Sequence, residues 1–139
     1  MTADRLKHLE FLQSTISRMA GNSFLLKGWT VTLVAALFAL AAKESDKRLI
    51  VLALFPSVAF WGLDAYYLCQ ERLFRMLYDD LRKLPQAEYE KSEPFSMSTK
   101  KYSHGRLSWF RTLWTPTLVG LHGVIFFTII VFVLVVKRR

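Results

Sequence analysis

Three apolar runs, residues 24–42, 49–68 and 115–136, each approach the length of a bilayer-spanning helix. The third carries no Asp, Glu, Lys or Arg across its 22 residues. About 20 apolar helical residues cross a hydrocarbon core, so the chain reads as an all-α, polytopic membrane protein with three transmembrane helices. Roughly 60 of the 139 residues lie in these runs. The rest is too short for a conventional enzyme domain. Function is therefore expected in the helical bundle, in its basic rim, or in a partner.

A single helical domain is expected along the chain, divided by pattern. In residues 1–22, Leu6, Leu9, Leu12, Ile16 and Met19 recur every three or four positions, which marks an amphipathic helix. Gly21-Asn22-Ser23 is a natural helix end, with Ser23 placed to cap the next helix. The first span, 24–42, then carries Lys27 one turn in, where its stem can snorkel, and Trp29 as a belt residue. Ala35, Ala36 and Ala39 leave room for close helix approach. The short charged connection Lys43-Glu44-Ser45-Asp46-Lys47 predicts an antiparallel hairpin of spans one and two.

Pro56 removes a backbone donor inside span two and predicts a kink. No breaker follows until Leu84-Pro85, so residues 48–84 read as one helix of roughly 55 Å, against a core of ~30 Å. Its second half is expected to project into water as a cytoplasmic extension. Its apolar stripe needs a cover, either the N-terminal helix or a neighbouring subunit. Residues 85–113 form a loop that becomes basic and aromatic, with Lys100, Lys101, Tyr102, Arg106, Trp109, Phe110 and Arg111. Residues 115–136 are the third span.

Net charge is +8. With three spans, the N-terminal segment and the large loop share one side and hold thirteen Lys or Arg, against six on the other. The positive-inside rule then places the N-terminus in the cytoplasm. The basic tail Lys137-Arg138-Arg139 opposes that assignment. The single Cys69 excludes an intramolecular disulfide and any CxxC metal site.

No catalytic motif is legible: there is no glycine-rich phosphate loop and no HExxH, and His8, His104 and His122 are widely separated. The chain is expected not to be an enzyme and to need no cofactor. Asp64 stands just past the apolar part of span two, either as an interfacial carboxylate or as a partner for Lys27. His122, Thr117 and Thr128 are the polar groups of span three. They read either as pore-lining residues of an oligomer or as packing groups, His122 being satisfied by a neighbour. Arg72, Arg75, Arg82, Lys83, Lys100, Lys101, Arg106 and Arg111, with Tyr78 and Tyr102, make a basic aromatic rim. Such a rim suits phosphates and stacked bases, or equally an anionic lipid surface.

The segment Asn22-Ser23-Phe24-Leu25-Leu26-Lys27-Gly28-Trp29, and Asp64-Ala65-Tyr66-Tyr67 running into Gln70-Glu71-Arg72, resemble the SLATT-like small membrane effectors. These accompany bacterial nucleotide-signalling anti-phage systems, the Hailong type among them. The third span is an addition to the two-span SLATT plan. The resemblance implies a homo-oligomeric inner-membrane channel, a tetramer being one arrangement, that depolarises the infected cell. It also implies control by a single-stranded DNA oligomer made by a partner nucleotidyltransferase, with the basic rim as the ligand site. Rival readings are a membrane-anchoring scaffold subunit for a soluble enzyme and a phage holin.

Overall fold

The computed structural model describes residues 2–44, 46–93, 95–103 and 109–138. Among them the protein is helical, with no strand. Helix α1 spans Ala3–Glu44. A short helix α2, Arg48–Leu52, leads into α3, Leu54–Lys83. After the turn α4, Gln86–Tyr89, the chain continues through a 3₁₀ turn at Lys100–Tyr102 to α5, Trp109–Leu113. Span three is built from α6, Pro116–Leu118, a π-helical turn at Val119–Gly123, and α7, Val124–Arg138. The helices Ala3–Glu44, Arg48–Lys83 and Pro116–Val135 are each long and apolar enough to cross a membrane.

The helix end expected at Gly21-Asn22-Ser23 does not form, and α1 runs through it unbroken for 42 residues. Ser23 is not a cap. Its hydroxyl donates to Asp64 of α3, and that tertiary partner keeps the backbone helical. A glycine in a helix interior costs about 1 kcal/mol relative to alanine, which the contacts on either side of Gly21 outweigh. The buried residues Leu9, Ile16, Ser23 and Thr30 recur every seven positions. A seven-residue repeat keeps one seam facing a partner helix. That partner is α3, packed antiparallel with Leu77, Leu73, Cys69 and Asp64 turned inward.

Pro56 acts where span two is interrupted. It has no N–H to give the carbonyl four residues earlier, at Leu52, and the helix is interrupted between α2 and α3, although Ala53 keeps its own bonds to Leu49 and Ser57. At 1.5 Å per residue α1 extends about 63 Å and α3 about 45 Å. Both outrun a hydrocarbon core of ~30 Å. The stretches past Ser23 and Asp64 therefore pair as a two-helix stalk.

The far end of that stalk is clasped by the N-terminus. Arg5 is buried, and one guanidinium nitrogen donates to the carbonyls of Leu81, Arg82 and Leu84 at 2.6, 3.1 and 2.7 Å. These are carbonyls that a helix end leaves unpaired, and a cation there also meets the negative end of the helix dipole. His8 donates from Nε2 to the Ser96 carbonyl at 3.1 Å and accepts from the Tyr89 hydroxyl at Nδ1, 3.3 Å away. Phe95 holds a left-handed φ of 59° while its ring packs on His8 and Phe11. Arg5→Ala should lower unfolding stability by about 2 kcal/mol, the scale of charged hydrogen bonds to buried acceptors. A thermal melt of detergent-solubilised protein reads this, and an unchanged melt would show that the clasp contributes nothing.

Candidate functional site

Within the spans, one polar junction joins all three. Ser23 and Lys27 are one turn apart on α1 and face α3. The Lys27 ammonium lies 2.8 Å from each Asp64 carboxylate oxygen and 2.7 Å from the Ser23 hydroxyl. From span three, His122 donates through Nε2 to Asp64 Oδ2 at 2.8 Å. Asp64 and His122 are both 0% exposed, whereas the Lys27 side chain keeps 24% exposure and forms the outer edge of the junction.

The π-helical turn Val119–Gly123 contains His122. A π turn inserts an extra residue into the helical repeat, and such turns recur at functional sites. Here His122 faces inward to Asp64 and Trp61. The Trp61 ring stacks on the imidazole at 6.2 Å between centroids and 11° between planes. Its indole N–H donates to the Leu113 carbonyl at 3.1 Å, and the Trp109 indole N–H donates to Gly62 at 2.9 Å. Two tryptophans thus lock α5 onto α3 at the level of the junction.

A buried ion pair is costly to desolvate, and only close geometry with every lone pair engaged offsets that cost. Asp64 meets the condition: its two oxygens accept from Lys27, Ser23 and His122. Asp64 is enclosed in the protein interior, not exposed at the protein surface. Its pairing with Lys27 was legible in the sequence. The recruitment of His122 was missed. An ionisable ring in a span free of Asp, Glu, Lys and Arg demands a polar partner, and Asp64 was the nearest acid on the same side.

The other predicted site residues separate into groups. Thr117 and Thr128 are exposed on the outer surface of span three, while His122 is enclosed, so the three share no face. Thr128 bonds back to the Val124 carbonyl and borders a groove of about 260 Å³ between α1 and α7. Arg75 pairs with Glu71 at 2.6 Å and Arg82 with Asp79 at 3.5 Å, so the cations of α3 are partly answered by acids of the same helix. Arg72 and Tyr78 are half-buried, and Arg111 is exposed on α5. Arg106 lies outside the described residues.

Lys83, Lys101 and Tyr102 are brought together. With Asp80 and the apolar floor of Leu77, Leu81, Leu84 and Pro85 they line a cavity of about 330 Å³. Lys100 is exposed in the adjoining turn. The expected single rim is therefore divided. The Lys100–Tyr102 turn sits at Asp80 and α5 sits at Gly62, ~27 Å apart along α3 at 1.5 Å per residue.

At the distal group the Tyr102 hydroxyl donates to Asp80 Oδ2 at 2.7 Å, and the Lys101 ammonium lies 3.0 Å from the same oxygen. The bond from Tyr102, then that from Lys101, hold the Asp80 carboxyl below its ordinary value of 3.8. Burial, then the bond to Asp80, push the Tyr102 phenol from 10.0 up to about 12. The acid lowered by folding contributes stability above pH 3.8 and loses it as pH falls through its depressed value. The phenol raised by folding contributes below pH 10.0 and loses its share as pH rises through about 12. In an ultraviolet titration one of the five tyrosines should ionise near pH 12, and Asp80→Asn should bring it back toward 10. A wild-type curve with all five ionising near pH 10 would contradict the anchor.

No protein family, curated protein or solved structure matches the chain.

Proposed function

We propose that the chain is the membrane-embedded subunit of a homo-oligomeric bacterial pore. In this reading the N-terminus and the stalk lie in the cytoplasm, the location is the inner membrane, and the pore depolarises the cell in anti-phage defence. An anionic oligonucleotide, supplied by a partner nucleotidyltransferase, controls it from the basic cytoplasmic end. One observation carries this reading. A single rigid helix, α3, holds Asp64 at the three-span junction and ends at the Lys83–Lys101–Tyr102 group. A ligand that binds this end differently in two states can bias the packing of the spans.

Most of each apolar span faces outward. Lipid or further copies of the chain cover those surfaces, and the exposed Thr117 and Thr128 are the polar groups available to a shared axis. The acids that answer Arg75 and Arg82 limit the affinity of α3 alone, so the turn at Lys100–Tyr102 has to contribute.

Potassium release from liposomes tests the proposal. Purified protein should release potassium, and single-stranded oligonucleotides should change the rate, with affinity falling as salt rises. Replacing both Arg72 and Arg75 by glutamate should abolish nucleotide control while oligomer mass stays the same. Release no faster than from empty liposomes, with and without oligonucleotide, would reject the pore.

A further inference from the structure

Buried polar groups are ordinarily hydrogen-bonded, and two in the spans are not. His122 Nδ1 and Ser57 Oγ are fully buried, with no partner among the described residues. They belong to a column. The antiparallel register that joins Ser23 to Asp64 also brings Thr30 level with Ser57, seven residues or ~10 Å deeper along the helices. Both hydroxyl residues are fully buried. Thr30 donates to the Leu26 carbonyl at 2.7 Å, which leaves its oxygen free to accept. The column begins at the partly exposed Lys27, passes Asp64 and His122, and continues to Thr30 and Ser57. It ends against an apolar layer of Val34, Ala53 and Ile129.

We propose that this column is a proton path inside each protomer, shut beyond Ser57 by the Val34–Ala53–Ile129 layer. It is separate from a shared oligomer axis and does not depend on the pore reading. The chemistry uses both nitrogens of His122. A proton delivered by water on the Ser57 side forms an N–H bond at Nδ1. The Nε2–H bond breaks and its proton forms an O–H bond on Asp64 Oδ2. The ring leaves this step neutral, as the other tautomer. Water at the Lys27 edge takes the proton from Asp64 and restores the carboxylate, and a half-turn of the ring about Cβ–Cγ carries the Nδ1–H to the Asp64 side and the bare Nε2 to the Ser57 side, where it can accept the next proton.

The other groups facing this pair suit the task. The Lys27 ammonium balances the carboxylate, Ser23 donates to it, and Trp61 offers the imidazole only its ring face. Apolar constrictions of this kind stop conduction by dewetting, so a hydroxyl placed in the layer should open the path.

The test is proton flux in liposomes loaded with a pH-sensitive dye and driven by a potassium diffusion potential. Val34→Thr keeps side-chain volume and adds a hydroxyl, and Ile129→Thr adds one from span three with a smaller side chain. Each should raise proton flux by about tenfold over wild type, a barrier lowered by about 1.4 kcal/mol. Adding His122→Gln to Val34→Thr should return the flux to the wild-type rate, because glutamine can donate to Asp64 but cannot relay a proton. The path is overturned if neither layer variant raises the flux, or if the double variant keeps the increase. Potassium release measured with no imposed potential reads the oligomeric pore separately, so either conclusion can fail without the other.

Discussion

Replacing Asp64 with alanine is expected to destabilise the folded protomer by about 3–5 kcal/mol, the cost of removing one partner from a buried ion pair. The loss is larger than a missing hydrogen bond would suggest. Interhelical hydrogen bonds between neutral groups in a bilayer average only about 0.6 kcal/mol. Asp64 instead answers a cation, a hydroxyl and an imidazole N–H at once. Without it the His122 Nε2–H is left fully buried with no acceptor, and Lys27 must turn outward to water. Asp64→Asn keeps an acceptor for His122 and should cost less. Reversible unfolding in mixed micelles measures the difference. A loss under about 0.5 kcal/mol for the alanine variant, the range of an ordinary surface change, would mean that the junction does not hold the spans.

The second large effect lies in the stalk. Leu12 is 0% exposed, in the seam where α1 meets α3 opposite Leu73 and Leu77. Leu12→Ala should cost about 2–5 kcal/mol from lost transfer energy and the cavity left behind. Leu12→Met, which conserves volume, should cost under about 1.5 kcal/mol. Phe24 provides the contrast: it is 75% exposed on the outer face of span one, and its replacement by alanine should leave protomer stability unchanged. Chemical denaturation followed by circular dichroism separates the three. Equal losses for Leu12→Ala and Phe24→Ala would contradict the seam.

The spans themselves were legible because a bilayer imposes a length and a composition, and three runs met both. Pro56 announced the interruption between α2 and α3, since a missing N–H acts locally. Lys27 and Asp64 could be paired because a tight hairpin fixes which ends of spans one and two are level. What stayed hidden depended on partners distant in sequence. Gly21-Asn22-Ser23 has the chemistry of a helix end, and only the carboxylate of Asp64, 41 residues away, turns Ser23 into an interior residue. Arg5 looked like one polar residue of an amphipathic helix, yet it closes the end of α3 some 76 to 79 residues later. His122 needed the π turn to face inward, and a search for a 3.6-residue period passes over an inserted residue. The basic segment of residues 100–111 read as one patch because its cations are neighbours in sequence. Trp109 on Gly62 and Tyr102 on Asp80 draw its two ends apart along α3.

The three-span junction can be tested most directly by a double-mutant cycle on Asp64 and His122, with each residue replaced by alanine singly and together. Side chains in direct contact couple by about 0.5–3 kcal/mol, whereas independent sites add to within about 0.3–0.5 kcal/mol. With His122 bonded to Asp64 at 2.8 Å and both enclosed, unfolding of the four proteins in mixed micelles should give a coupling of at least about 1 kcal/mol. Additive losses would show that span three is not tied to span two through this pair.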